Sequence, residues 1–405
     1  MLELEQAVTR ILAAVPPPTE ETVPISESFG RFLAQSVCAG VDLPPFDNSS
    51  VDGFAVSSRS TGMAAAHRPL RLRIFGKVAA GEVFQGELPL GGCLRVFTGS
   101  PLPAGADAVV MQEDARPDPD DPDMISIAVP AQPGENVRRR GEDVRNDSVI
   151  AQPGELLTAS RVNLLAATGA GAVKVGRRPL VGLMATGTEL REPGQPLGPG
   201  QIYESNRLGL AALVREAGGI PFHLPLVPDA LTATRLALLQ AFEDCDIVVT
   251  SGGVSVGELD FIKRAFNQAG GELEFWRVAI KPGRPFVFGR RGARLLFGLP
   301  GNPVAAFVTF LVLARPALLR WQGAADTSLP ARHGILAEPL ANPDERRHLL
   351  RVRLDAQGRV RPAGKQESHV LSGLASANGL VDMAPGATFP AGSAVQVLCW
   401  TNRGD

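Results

Sequence analysis

From Arg178 to Gln322 the sequence alternates short apolar runs with amphipathic stretches, and that alternation leaves few folds open. The apolar runs include PLVGLMATG, DIVVTSGG and LLFGLPG; among them stand NRLGLAALVREAGG, LTATRLALLQAFEDC, DFIKRAFNQAGG and, last, PVAAFVTFLVLARPALL. Unbroken apolar runs of strand length are buried on both faces, which predicts a largely parallel sheet covered by helices on each side. Ligands of such sheets sit beyond the carboxyl ends of the strands, so the loops that follow the strands should carry the chemistry.

The flanks read differently. MLELEQAVTRILAAV places apolar residues at helical spacing and is acidic, so it predicts an amphipathic helix rather than a secretory signal; Pro16-Pro17-Pro18 ends it. RLRIFGKV, CLRVF, ADAVVMQ and ISIAV are strand-like runs separated by Gly/Pro turns and by the acidic ARPDPDDPD, read as a solvated hairpin loop. TASRVNLLAATG then predicts a helix with Thr158 near its N-cap, followed by a strand in AGAVKV. After Gly323, the alternation in HLLRVRL and the final AVQVLCW predict a small antiparallel barrel or sandwich. The predicted class is thus a multidomain α/β chain. Residues 1–45 and 147–177 form a discontinuous helical/mixed domain around a β-rich insert at 46–146; a three-layer α/β domain spans 178–323 and a β-barrel domain 324–405.

Charge and cysteine usage exclude several functions. With 40 Lys+Arg against 42 Asp+Glu the chain lacks the basic excess of a nucleic-acid binder, so any anion site is local. Cys38, Cys93, Cys245 and Cys399 form no C-x-x-C, which points away from a zinc site and toward a reducing, cytoplasmic setting. The longest apolar run, Val304 to Ala314, is stopped by Arg315-Pro316, short of the ~20 residues that cross a bilayer. No membrane span is predicted.

Three loops of the α/β region stand out. MATGTEL places Glu189 just past a strand; TSGGVSVGELD, with Ser251, Gly252, Gly253 and Ser255, is a glycine-rich loop leading into a helix near Asp260; GLPGNP contributes Pro300, Gly301 and Asn302. Glycines let successive N–H groups converge, so the 251–257 loop is either a phosphate cradle or a tight turn. It is not a Walker A loop, and no G-x-G-x-x-G follows the first strand. Glu189, Asp229 (in LVPD) and Asp260 all fall where this sheet's upper loops should meet; Asp229 and Asp260 read as well as helix caps, but the three together beside a glycine cradle suit Mg²⁺, which takes one or two carboxylates plus substrate phosphate. FWRVAIKPGRP supplies Arg277, Lys281 and Arg284 around a turn, suited either to a tetrahedral oxyanion or to guarding an edge strand. The five histidines show no ligand spacing, and Ser251 and Ser255 lie in no G-x-S-x-G elbow.

At this point DNSSVDGFAV, RVFTGSPLPAGADAVVMQED, ENVRRRGEDV, MATGTEL, TSGGVSVGELDF, AIKPGRPFVFG and GLPGNPVAAF together resemble one family, the molybdopterin molybdotransferases: MoeA and the E domains of plant Cnx proteins and of gephyrin. The resemblance spans nearly the whole chain. It implies an elongated homodimer, with the cleft formed where the α/β domain of one chain faces the β-rich second domain of its partner. It implies that Asp52, Thr98 and Asp143 come from the second-domain side, that Glu189, Asp229, Asp260 and Lys281 come from the α/β side, and that Arg351 and Ser368 handle molybdate. The implied reaction inserts molybdenum from molybdate into adenylylated molybdopterin with Mg²⁺-dependent release of AMP. Transient contacts with a molybdopterin adenylyltransferase and with cofactor acceptors would follow. Three departures stand out: Val51-Asp52-Gly53-Phe54 for Met-Asp-Gly-Tyr, Arg277 for a lysine, and Glu367 for a glycine before Ser368. The rival readings are an adenylyltransferase and a non-catalytic cofactor carrier or scaffold.

Overall fold

A computed structural model describes residues 1–254 and 261–400 of the chain. Its centre is a six-stranded mixed sheet of β1 (Leu180–Ala185), β2 (Ile220–His223), β3 (Ile247–Ser251), β4 (Glu272–Arg277), β5 (Pro285–Arg291) and β6 (Arg294–Leu299), in the order β2-β1-β3-β6-β5-β4. The pairings among β2, β1, β3 and β6 are parallel, as the buried runs require. The β6–β5 and β5–β4 pairings are antiparallel, so the parallel sheet expected from sequence ends in a meander. Short turns cause this: only Gly292 and Ala293 separate β5 from β6, too few for the crossover that parallel neighbours need.

Because successive strand residues face opposite ways, the central strands build two cores at once. Val181, Leu183, Ile247, Val249 and Phe297 face one layer, with helices Asn206–Glu216 and Pro303–Trp321; Met184, Val248 and Leu296 face the other, with helices Leu231–Asp244 and Phe261–Gln268. Phe275, Phe286, Phe288 and Phe297 form a chain of ring contacts 5.2–6.4 Å between centroids, each adding ~0.5–1.5 kcal/mol beyond area burial.

Two features of the packing were not specified by the sequence pattern. Helix Pro303–Trp321 continues past Arg315-Pro316, where the longest apolar run ends. A π-helical turn at Phe310–Ala314 precedes the proline, and Pro316 sits in the first turn of the last segment, where a missing N–H is tolerated. This helix is long and apolar enough to cross a membrane, and 83% of its apolar 18-residue stretch is buried inside the fold. The second concerns helix Leu4–Ala14: Leu4, Ala7 and Ile11 pack into the α/β core, and Leu2 bridges Val278, so the helix joins that unit rather than residues 16–45.

Around the α/β unit the chain leaves and returns. Glu20–Pro24 pairs antiparallel with Ala172–Gly176, and Val37–Cys38 with Val149–Ala151. Between them stands a second six-stranded sheet, which holds Gly53–Val56, Leu70–Val78 and Gly92–Val96. Beyond the α/β unit, β7 (Ala331–Leu336), β8 (Arg347–Leu354), β9 (Arg359–Pro362), β10 (Gly379–Met383) and β11 (Ala394–Cys399) close a barrel, because β8 pairs with both β9 and β10. The strand Ile280–Lys281 runs parallel to β8 and joins this barrel to the α/β unit.

Candidate active site

Strands β1, β3 and β6 point the same way, so the segments that leave them meet at one edge. Thr186 and Glu189 after β1, Asp229 after β2, Ser251 to Val254 at the end of β3, and Pro300 to Pro303 after β6 line one cleft of about 650 Å³. Gly252 and Gly253 hold φ of +88° and +65°, and a Cβ at Gly252 would meet the Thr186 carbonyl oxygen at 2.7 Å. Only glycine fits this cradle. The Glu189 carboxylate has no hydrogen-bond or ion-pair partner among the described residues, while Asp229 accepts the Thr188 N–H at 3.3 Å and the Asp229 N–H donates to Thr188 Oγ1 at 3.3 Å. Two carboxylates with open lone pairs beside this glycine turn fit the donor set Mg²⁺ takes. Among the described residues no group of three acidic, His or Cys side chains gathers; Asp260 and Ser255, assigned here from sequence, lie outside the described residues.

An ion cluster adjoins the cleft through Glu204, one of its lining residues. Arg207, 4% exposed, donates Nε to Glu204 at 3.0 Å, Nη2 to Glu192 at 2.6 Å and Nη1 to the Leu224 carbonyl; Glu204, 2% exposed, also accepts the Arg207 N–H at 2.8 Å. This guanidinium ties the segment after Glu189 to the end of β2, the strand that leads to Asp229. Asn206 donates to the Gly301 carbonyl at 2.8 Å and so holds the GLPGNP turn.

A second cleft of about 550 Å³ shares Pro285, Pro300 and Asn302 with the first and is lined by Lys281, Arg284, Arg346, Glu367 and Ser368. Asn302 donates to Ser368 Oγ at 2.9 Å, across the junction with the barrel. Lys281 is paired with Asp344 at 3.0 Å, and its hydrogen bond, followed by Arg346, holds Asp344 below the usual carboxylate range. Glu367 lies 3.5 Å from His369 at an exposed rim. Arg351 does not line this cleft: it is 1% exposed, and its guanidinium donates to the carbonyls of Lys365 (2.5 Å), Glu367 (3.2 Å) and Val370 (3.2 Å). It shapes the loop that carries Ser368. Arg277, on β4, lines neither cleft.

Asp52 and Thr98 meet on the inserted sheet, where Asp52 accepts the Thr98 N–H at 2.8 Å and the Thr98 hydroxyl at 2.9 Å. Those bonds, with Arg95 nearby, lower the Asp52 pKa. Asp143 is anchored through its N–H to the Leu43 carbonyl. None of the three lines either cleft.

Comparison with known proteins fits this layout. Residues 2–169 match the MoeA N-terminal region (domain I and II), 182–320 a probable molybdopterin binding domain, and 333–400 the MoeA C-terminal region (domain IV). A molybdopterin molybdenumtransferase of Haemophilus influenzae is 36% identical over 384 residues, 93% of each chain. The chain belongs to the MoeA family. Another MoeA relative, molybdopterin molybdenumtransferase 2 of Mycobacterium tuberculosis, is 38% identical over 385 residues, 94% of each chain. The solved molybdopterin biosynthesis MoeA protein of Pyrococcus horikoshii is 30% identical and superposes with a TM-score of 0.86, over 98% of this chain and 100% of that one.

Within this MoeA frame, sequence reasoning missed Glu204, Arg207, Asp344 and Arg346. The signal for the first pair was Glu-Ser-Asn ahead of an apolar helical run, a start signal that also holds a buried ion pair. Asp344 gave no signal, since its partner Lys281 stands far away in sequence.

Proposed function

We propose that this chain is a molybdopterin molybdenumtransferase that takes adenylylated molybdopterin, with the pyrophosphate on the glycine cradle of Gly252 and Gly253 and against the Pro300–Asn302 turn. The observation that carries the reading is that one cleft gathers Glu189, Asp229, the cradle and that turn, and opens onto a second lined by Lys281, Arg284 and Ser368. Glu189 and Asp229 would hold Mg²⁺, which when bound neutralises phosphate charge. Lys281, Arg284 and Ser368 hold molybdate as a second substrate by point charge, forked donor and hydroxyl. Arg351 fixes the Ser368 loop. Positioning the two substrates side by side is the main catalytic contribution of such a site. Molybdenum passes to the dithiolene sulfurs, water cleaves the phosphoanhydride, and AMP leaves.

Asp52, Thr98 and Asp143 lie outside both clefts of their own protomer, which supports a homodimer whose partner chain delivers them to the cleft. Purified protein given Mg²⁺, molybdate and adenylylated molybdopterin should release AMP, and Glu189→Ala should abolish that release with the fold intact. Consumption of ATP with molybdopterin instead would make the chain an adenylyltransferase; binding without turnover would make it a carrier.

A further inference from the structure

The cleft read as the pyrophosphate site brings no positive side chain to its ligand. Among the described residues its lining holds Glu189, Glu204 and Asp229 and no lysine or arginine. Cations without anions stand elsewhere, at one end of the inserted sheet. Gly53–Val56 runs antiparallel to Gly92–Val96 and to Ala108–Met111, while Leu70–Val78 runs parallel to Gly92–Val96, so Asp52, Lys77, Thr98 and Gln112 gather at that end. Lys77 pairs in register with Arg95, which makes two like charges direct neighbours on adjacent strands, a destabilising arrangement until an anion joins them. Arg95 donates to the Gln112 side-chain oxygen at 2.5 Å and to the Gly53 carbonyl at 3.5 Å. Its guanidinium lies 5.0 Å from the ring centroid of Phe54 and 5.1 Å from that of Phe97, and Lys77 Nζ lies 5.0 Å from that of Phe97. Neither cation has a carboxylate partner among the described residues, and Lys77 makes no hydrogen bond there. The stacked fork is held in place before any ligand arrives.

We propose that Lys77 and Arg95 of one protomer bind the phosphate oxygens of the substrate lying in the other protomer's cleft, an inference that rests on the two-chain reading of the site. Whatever brings Asp52 and Thr98 to the partner also brings this end of the sheet, since Arg95 bonds Gly53, the residue after Asp52. A forked donor and a point charge, both desolvated as the two surfaces meet, supply what the cleft's own wall lacks. Each pyrophosphate site is then complete only in the dimer.

Lys77→Met keeps the aliphatic stem and breaks no hydrogen bond, so the fold is retained. It should raise the KM for adenylylated molybdopterin about tenfold, the worth of one hydrogen bond to a charged group, with the loss falling on KM rather than kcat and the molybdate requirement unaltered. Lys77→Arg should restore KM. Lys77→Met/Arg95→Met, checked for folding by circular dichroism, should raise it further. When Lys77→Met chains are exchanged with Glu189→Ala chains, a component with the parent KM should appear, because an intact cleft then faces an unsubstituted insert; exchange with Asp52→Ala chains should give none. An unchanged KM in Lys77→Met overturns the proposal, as does the absence of a parent-KM component after exchange with Glu189→Ala chains. Failure of the cleft reading shows earlier and separately: the unsubstituted protein would release no AMP from this substrate, and the proposal would fall with it.

Discussion

Lowering the pH from 7 to 5 should weaken the fold through one imidazole that has nowhere to place a charge. His348 stands on β8 beside the junction with Ile280–Lys281, is 5% exposed, and neither ring nitrogen has a hydrogen-bond partner among the described residues. Burial, then the nearby Lys281, pushes its pKa down from 6.5 to about 4; Asp344 opposes this, and Arg351 and Arg346 add to it. In the unfolded chain the ring protonates near its ordinary value, so between those two values only the unfolded state takes up the proton. The stability is fully present above pH ~6.5 and is lost as the pH falls toward ~4; integrating from pH 7 to 5 gives a loss of about 2 kcal/mol. His348→Leu removes the titrating ring without breaking a hydrogen bond, so it should match or exceed the parent at pH 7 and flatten the pH dependence. Urea unfolding of both proteins at pH 7 and pH 5 measures this. Parallel pH dependences for parent and variant would refute the reasoning.

Four further outcomes are expected. Lys281→Ala should raise the molybdate concentration needed for half-maximal AMP release, with little change in Kd for AMP; an unchanged molybdate dose response counts against the oxyanion pocket. Arg351→Met leaves carbonyls of the 365–370 loop unpaired and should cost on the order of 3 kcal/mol in chemical unfolding, with a raised molybdate requirement. Gly252→Ala, at φ +88° and 2.7 Å from the Thr186 carbonyl, should cost ~1–3 kcal/mol and weaken pyrophosphate binding by calorimetry. Mixing inactive Glu189→Ala with inactive Asp52→Ala chains should restore part of the AMP release as the mixed dimer forms one complete cleft; no recovery after exchange of subunits would place both residues in one protomer's cleft.

The features legible in the sequence were those written in short-range pattern. Val181 to Ala185 and Ile247 to Val249 are uninterrupted apolar runs, so their burial and parallel pairing followed, and the loops after them were flagged by Gly252, Gly253 and Glu189. Residues whose meaning depends on a distant partner were not legible. Arg351 sits in an alternating strand and reads like any cation, yet its guanidinium points at a loop fourteen to nineteen residues on. Lys281 meets Asp344 only because the barrel folds back on Ile280–Lys281. Helix Pro303–Trp321 runs through Pro316 because a π turn precedes it, and no local propensity foretells that turn.

The doubled-back first unit also constrains the order of events on the ribosome. Val23 pairs opposite Val173, and Cys38 opposite Val149, so that unit cannot close until the whole insert has been synthesised. Were the insert still a random coil, joining Cys38 to Val149 across about 110 residues would cost ~4 kcal/mol of chain entropy. A folded insert, whose Asn48–Ser49 and Val137–Arg138 already pair, presents its two ends side by side and removes most of that cost. The nascent chain should therefore complete its middle before its beginning, and pulse-labelled amide exchange during refolding should protect Leu94 and Val109 ahead of Val23 and Val175.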